Sequence, residues 1–592
     1  MPQSVSDSLL NLTPNALRVL EKRYLRRDSR GEVVETPAEL FRRVADAVAS
    51  AERKYASDTS VRYIADEFYR IMSGLLFLPN SPTLLNAGTT SGQLSACFVL
   101  PVEDSIEAIF EAVKYTAQIH KSGGGTGFSF AHVRPVGDDV DGRADAATGP
   151  VALIDVFSKA ADYVRQGGIR RGCNSVVLPV DHPDIMDFIK AKADPLSLTN
   201  FYISVAVTDD FMRRVKTGQD YPLIYPRNGQ ITGWLNAGAV FDRIVDQAWS
   251  TGDPGFVFID QINRANPTPH LGRIEIISGC GEQTLLPYES CNLGSINLAK
   301  MVKLDNNRTV VDFDTLKDVV SLAVRFLDNV IDVNKFPISR IEEMTKRTRK
   351  IGLGVMGFAD MLYQMGIPYN SESAVKIARE VMRFIKDEAH RTSRLLARER
   401  GPFPAFKGSI YDREGLEPMR NAACTTVAPT GTLSIIAGCS SGIEPVFAGV
   451  FVRNILDGEN LLEVNPHFEK AVKDAGVYSE ELLARLVKCN HLHDQHDVPE
   501  EIRKIFVTAH QVSPEWHVKI QAAFQEFTDN AVSKTVNFAR QATREELASV
   551  FRMAYESGLK GITVYRDDSR ELQPLCTGDT GIELVKAYFM RH

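Results

Sequence analysis

The sequence predicts an α/β fold with mainly parallel strands, carried by one large domain behind a helical lead. Three observations predict it. Short β-branched or apolar segments recur between residues 96 and 566, with helical runs separating several of them, the alternation that βαβ units produce. No repeat, low-complexity tract or long linker divides that stretch, so one domain with a large core is more economical than several small ones. Ahead of it, roughly the first 80 residues carry helical periodicity.

In the lead, Thr36-Pro37-Ala38-Glu39 reads as a capping box with proline at the first helical position, followed by Leu40, Val44, Ala47 and Val48 at helical spacing. A second amphipathic run over residues 58–78 ends at Pro79-Asn80-Ser81-Pro82, an element boundary. The strand candidates are residues 96–100 (ACFVL), 174–180 (NSVVLPV), 201–207 (FYISVAV), 254–259 (PGFVFI), 425–429 (TTVAP) and 562–566 (ITVYR). Residues 315–333 exemplify the helices between them.

Composition narrows the class. With 592 residues, 44% hydrophobic and 24% charged, the chain is neither disordered nor membranous. Its 68 basic and 75 acidic side chains leave a net charge of −7. That surface is unsuited to coating a nucleic-acid polymer, while a local basic pocket for a small anion stays open. Residues 421–443 carry no charge, but Pro429, the glycines and many hydroxyl residues deny them the apolar continuity of a membrane span. No basic stretch followed by an apolar one opens the chain, so a cytoplasmic location is expected.

Eight cysteines lie at 97, 173, 280, 291, 424, 439, 489 and 576. Without a C-x2-C pair or an export signal they read as packed or reactive thiols rather than a zinc site or a disulfide scaffold. Gly123–Gly127 is a permissive glycine loop, not a dinucleotide fingerprint. Residues 425–434 read as a strand running through Pro429-Thr430-Gly431-Thr432 into a helix start. Amides and hydroxyls there suit phosphate oxygens, and suit an ordinary capped turn equally. Gln166 to Gly172 set Arg170 and Arg171 in a glycine-rich loop, fit for bidentate bonds to phosphate or a base edge, or for plain solvation.

The richest segment is Ser278-Gly279-Cys280-Gly281-Glu282, followed by Cys291 in PYESCNLGSINL. A cysteine between glycines, two residues from a carboxylate, is poor core design and suits a reactive sulfur with an adjacent base. Cys173, Cys424 and Cys439 read as packed thiols.

With these segments in hand, the chain resembles the catalytic subunit of ribonucleotide reductase, specifically the adenosylcobalamin-dependent class II enzymes. The likeness spans roughly residues 15–570 and rests on NSPTLLNAGT, LSACFVLPVEDSIEAIFEAVK, SGGGTGFSF, QGGIRRG, HPDIMDFI, CGEQTLLPYESCNLGSINLAK, GLGVMGFADMLY, APTGTLSIIAGCSSGIEPVF and GITVYRD, in that order. The resemblance implies a ten-stranded α/β barrel over residues 81–570, with a helical region over 1–80 and a short tail over 571–592. Cys280 matches the cysteine that becomes a thiyl radical and takes the 3′ hydrogen of the ribose. Glu282 matches the carboxylate that assists the 3′ hydroxyl. Cys97 and Cys291 match the pair oxidised to a disulfide as the 2′ hydroxyl leaves as water. Ser81 with Pro429, Thr430, Gly431, Thr432 and Ser434 resembles the substrate phosphate cradle. Asp104, Ser105, Ile106 and Arg134 resemble the site for a deoxynucleoside triphosphate effector. Gln166 and Arg171 fall on the loop that relays effector identity to base choice. The implied partners are a ribonucleoside diphosphate, the effector, thioredoxin or another dithiol, and a second copy of the chain in a homodimer.

Three departures stand out. Relatives usually read Asn-Pro ahead of the radical cysteine, whereas this chain reads Ser278-Gly279. The expectation is that Ser278, or a water it holds, partly replaces the family amide. Only Cys576 follows the barrel, where many relatives carry a cysteine pair that re-reduces the active site; the expectation is a truncated chain, a pair supplied by a separate polypeptide, or an external dithiol that enters directly. The lead enters the catalytic region almost at once, so the ATP-cone of many relatives, and on-off control by ATP and dATP, are not expected. Tyr565 is a single tyrosine where class I large subunits carry an adjacent pair, which weakens a class I reading that would need a metalloprotein radical partner. A nucleotide-binding, non-catalytic paralogue is the other alternative, opposed by the joint presence of Cys97, Cys280, Glu282 and Cys291.

Overall fold

The cap chemistry of the lead sets its helices in place. The computed structural model describes residues 10–55, 57–164, 173–194, 196–455, 459–489, 492–567, 569, 575–576, 584–586 and 588–589. Helices α1 (Pro14–Arg23), α2 (Pro37–Ala49) and α3 (Asp58–Ser73) form the lead. At α2, Thr36 N donates to Glu39 Oε2 at 2.8 Å and Glu39 N to Thr36 Oγ1 at 3.3 Å. Each bond satisfies an amide that the first turn leaves unpaired.

The lead shares its core with the rest of the chain. Phe326, on the helix Phe313–Val333, meets Phe68 and Phe77 edge-on at 5.0 and 5.4 Å. Beside these rings Glu52 is buried and receives Arg400 Nη2 at 2.6 Å, Arg325 Nη1 at 3.0 Å and Asn329 Nδ2 at 2.8 Å. Asp328 takes Arg349 and Arg400 in the same network. Removing one partner would strand a buried charge, so the joint is rigid.

Five parallel strands pair in chain order to make one half of the barrel: β1 (Cys97–Pro101), β2 (Gly125–Ser129), β3 (Asn174–Pro179), β4 (Phe201–Val207) and β5 (Gly255–Phe258). The other half sets β6 (Ser290–Asn297) parallel to β7 (Ile351–Met356), and β8 (Thr535–Phe538) parallel to β9 (Gly561–Arg566). Residues 425–427 span the gap between β7 and β8 through single parallel bridges, Leu353↔Thr425 and Val427↔Val532. Thr426 N donates to Leu353 O at 3.0 Å and Val427 N to Ala531 O at 3.1 Å. With that segment counted and the short strand Phe77–Pro79, which pairs antiparallel to β6, set aside, five strands stand on each side. The two halves run antiparallel and meet at two seams, β1 with β6 and β5 with β9.

Inside the ring a short hairpin, Ile276–Ile277 paired with Thr284–Leu285, carries the loop of residues 278–283. It is held by both halves. Ser175 Oγ donates to Ile277 O at 3.0 Å from one side, and Thr426 Oγ1 donates to Glu282 O at 2.6 Å from the other.

Three glycine-containing strands, β2, β6 and β7, escaped a propensity reading. Residues 123–127 read as a loop, yet Gly125 to Ser129 form β2, and the glycine-containing β7 was not a strand candidate. Glycine normally weakens a strand because it offers nothing to pack. Here it makes room: a Cβ on Gly127 would stand 2.1 Å from Ile277 O, and one on Gly354 would stand 2.2 Å from Thr426 O. Conversely, residues 425–429 make bridges rather than a full ladder. Pro429 has no amide to donate and Thr430 turns left-handed with φ 52°. Among the described residues no helix is long and apolar enough to cross a membrane.

Candidate active site

The first seam aligns two cysteines. Cys97 on β1 and Cys291 on β6 are directly opposed in the antiparallel register. Opposed residues have Cα atoms about 4.5–5.5 Å apart, within the range of about 4.4–6.8 Å that a disulfide spans. Both side chains are buried. Cys97 Sγ donates to Glu282 Oε1 at 3.2 Å, and Ser278 Oγ donates to Glu282 Oε2 at 3.0 Å. Ser278 Oγ also accepts from Gln283 N at 3.1 Å. Ser278 is fully buried, with its hydroxyl used inside the loop. In this arrangement its hydroxyl bonds the Glu282 carboxylate.

Burial pushes the Glu282 carboxyl above its usual range, and its backbone hydrogen bond and the bonds from Cys97 and Ser278 oppose that rise. All three thiols are pushed well up. For Cys97 and Cys291 the main cause is burial, with the nearby carboxylates Glu282 and Glu289 next. For Cys280 the main cause is a hydrogen bond to Cys173, followed by burial. These sulfurs therefore keep their hydrogens, which is wrong for a thiolate nucleophile and right for a donor of hydrogen atoms.

Cys280 sits at the loop tip. It is enclosed by the barrel yet retains accessible surface, because it borders a small cavity with Ser204, Phe256, Ile262, Lys534 and Lys560. Gly281, at φ 80°, makes the turn that presents it. A Cβ on Gly279 would come to 3.0 Å from Cys173 Sγ. Cys173, read as a packed thiol, thus belongs to the site. The available signal was its position, directly after the two-arginine loop and opening β3.

Lys560 also borders a cavity of about 850 Å³ whose lining includes Gln261, Arg264, Arg379, Lys519 and the His390 and Asp529 pair. Lys560 Nζ donates to Asn530 O at 2.6 Å, and burial pushes its ammonium down to about 7.

The remaining candidates lie at other places on the barrel. Thr430 Oγ1 accepts from Gly442 N at 2.7 Å, and Ser434 Oγ pairs with Ser441 Oγ at 2.9 Å. Thr430 precedes the helix Gly431–Ala437 without a side-chain cap bond to it, and Thr432 lies on that helix. Ser81 opens the helix Ser81–Asn86 and shares a 2.8 Å hydrogen bond with Tyr24 OH. Arg134 Nε bonds both Asp104 oxygens, at 2.9 and 3.1 Å, and Arg227 adds a second cation 3.6 Å from Asp104. Ser105 caps the helix Ile106–Lys121, where Ile106 is exposed. Gln166 and Arg171 lie outside the described residues.

The hairpin held between the two half-barrels thus carries a cysteine and a carboxylate, with a pair of cysteines opposed on the adjacent seam. In family comparison, the barrel domain of ribonucleotide reductase matches residues 95–418 and 412–565, and its all-alpha domain matches residues 10–92. The chain belongs to the ribonucleotide reductase family. It is 49% identical to the vitamin B12-dependent ribonucleoside-diphosphate reductase of Thermoplasma acidophilum, over 96% of this chain and 81% of that protein. It is 48% identical to the protein of the same name from Mycobacterium tuberculosis H37Rv, over 96% and 79%. The class Id ribonucleotide reductase alpha subunit of Actinobacillus ureae shares the fold, with a TM-score of 0.77 at 23% identity over 94% of this chain and 97% of that one.

Proposed function

We propose that this chain is a vitamin B12-dependent ribonucleoside-diphosphate reductase that makes 2′-deoxyribonucleotides by thiyl-radical chemistry. The observation that carries the chemistry is the shared neighbourhood of Cys280, Glu282, Cys97 and Cys291. In this reading Cys280 takes the 3′ hydrogen of the ribose and returns it. Glu282, held by Ser278 and Cys97, accepts the 3′ hydroxyl proton. Cys97 gives its hydrogen to the 2′ hydroxyl, which leaves as water; the cysteine pair passes two electrons to the ribose and is left oxidised as the Cys97–Cys291 disulfide.

The residues fit the cofactor. Adenosylcobalamin, when bound, supplies the organic radical that activates Cys280. That sulfur is accessible from its cavity, and the neighbouring space of about 850 Å³, bordered by Gln261, Arg264 and Lys519 and sharing Lys560 with it, would take part of the cofactor.

Residues Ser81, Pro429, Thr430, Gly431, Thr432 and Ser434 form the phosphate cradle in this reading. Asp104, Ser105, Ile106 and Arg134 form the effector site, with Arg227 supplying a further cation. A homodimer is supported by exposed apolar side chains on adjacent helices: Ile106 and Phe110 on one, Val156 and Tyr163 on Gly149–Tyr163. Thioredoxin or a small dithiol returns the disulfide to thiols.

The test is deoxyribonucleotide formation from a ribonucleoside diphosphate and a dithiol. We expect activity that requires adenosylcobalamin and is abolished by Cys280→Ser. Activity without cobalamin but with a metalloprotein partner would overturn the assignment.

A further inference from the structure

The two sulfurs of the first seam have unlike surroundings. Cys97 retains 7% of its surface and faces Glu282, whereas Cys291 retains none. Near Cys291 lies a buried ion pair whose charges reach its thiol electrostatically: Lys350 Nζ bonds Glu289 Oε2 at 2.7 Å, and both side chains are 1% exposed. The carboxylate is well satisfied, since Oε2 also accepts from Leu286 N at 2.7 Å and Oε1 from Thr348 Oγ1 at 2.6 Å. The ammonium is not: it has three donors, and the hydrogen bond recorded for it among the described residues is the one to Glu289.

The pair reaches the sulfur through the register of β6 and β7, in which Asn292 faces Ile351. Cys291 Sγ lies 3.7 Å from Lys350 O. Both charges act on the thiol, with Glu289 raising its pKa and Lys350 lowering it. A buried ion pair is weak evidence of stabilisation, because apolar residues of the same volume often serve as well or better. Its place near a redox sulfur asks for a chemical reason.

We propose that Lys350, held by Glu289, is a positioning residue for re-reduction of the disulfide, making Cys291 the leaving sulfur and Cys97 the sulfur attacked. The proposal rests on the reading of Cys97 and Cys291 as the redox pair. One thiolate of an external dithiol attacks Cys97 Sγ, the only one of the two with accessible surface. A sulfur–sulfur bond forms to the reductant and the bond to Cys291 breaks. The electron pair stays on Cys291 as a thiolate, with the Lys350 ammonium as its counter-ion. The reductant's second thiolate then attacks its own sulfur held on Cys97, leaving as a cyclic disulfide and releasing the Cys97 thiolate. The two protons given up by the reductant end on Cys97 and Cys291. The reductant loses two electrons and the protein disulfide gains them.

The experiment starts from the full chain oxidised with diamide, with the Cys97–Cys291 disulfide located by peptide mass mapping. Failure of that bond to form sinks the redox-pair reading itself, and the proposal with it. Once the bond is in place, brief reaction with glutathione and acid quenching should leave the adduct on Cys97. An adduct on Cys291 overturns the proposal while leaving the redox pair standing. Reduction by dithiothreitol should be about tenfold slower in Lys350→Met, because exchange slows as the leaving thiol's pKa rises. It should be near the parent rate in Lys350→Arg and faster in Glu289→Gln, where the repelling carboxylate is gone. A merely structural pair would make Lys350→Met and Glu289→Gln equally slow, and that result counts against the role. Adduct mapping needs no variant, so it decides the question even where a substitution fails to fold.

Discussion

The seam between β1 and β6 and the seam between β5 and β9 join the same two half-barrels in the same antiparallel sense, yet they do different work. At the first, Cys97 faces Cys291 in a dry register backed by Lys350 and Glu289. At the second, Phe256 and Val257 face Ile562 and Gly561 beside the cavity that admits access to Cys280. The difference follows from what each sulfur must meet. In the proposed reaction, a dithiol that reduces substrate from within would gain by excluding water, whereas a sulfur that exchanges hydrogen with a bulky activator would need an opening. The hairpin of residues 276–285 lies between the seams, so Glu282 touches the first while Cys280, two residues away, faces the second.

The strongest way to break this division is to expel the hairpin. Gly127→Val places a Cβ where only 2.1 Å separates it from Ile277 O. We expect a loss of about 3 kcal/mol or more, the upper range for overpacking, with activity abolished. Thermal unfolding and the assay check it together, and an unchanged melting temperature would refute the threading argument.

Next in size is a contrast in thiol reactivity. A small alkylating agent should modify Cys280 in the native chain while Cys291 reacts only on unfolding, because accessibility differs although both thiols stay protonated. Time-resolved peptide mapping reads this directly, and comparable native rates at the two positions would erase the contrast.

A smaller effect is expected from pH. Lys560, between the two cavities, has its ammonium pushed from 10.5 down to about 7 by burial. Between those values the unfolded chain binds more protons than the folded one, so this group's contribution to stability rises with pH across that window. The pH dependence of the urea midpoint should lose that component in Lys560→Met. Identical slopes in the two proteins would show that the group is not desolvated.

The smallest effect expected is that of Ser278→Ala, which removes the hydroxyl bonded to Glu282 Oε2. A single buried hydrogen bond contributes about 1 kcal/mol. The variant should unfold slightly earlier and lose activity through Glu282 while retaining substrate affinity. A rise in KM with kcat unchanged would instead give Ser278 a direct role in substrate binding.

Much of the fold was legible because its signals are local. The capping box at Thr36, the β-branched strands at residues 174–179 and 201–207, and the glycine-flanked Cys280 each follow from chemistry within a few residues. Strands β2 and β7 were not, because their glycines serve a neighbour far away in sequence. The neighbourhood of Cys173 was hidden for the same reason: its partner Cys280 lies more than a hundred residues ahead.

By itself, then, the sequence determined an α/β architecture, the reactive loop and, through resemblance, the members of the cysteine pair. Only the tertiary structure decided that Cys97 and Cys291 are opposed and that Ser278 serves Glu282. It alone also brought Lys350 and Glu289 close to one of the sulfurs. The physical reason is that register between distant strands is fixed by barrel closure. Closure depends on which backbones can approach one another, a property spread over the whole ring rather than encoded in any one stretch of it.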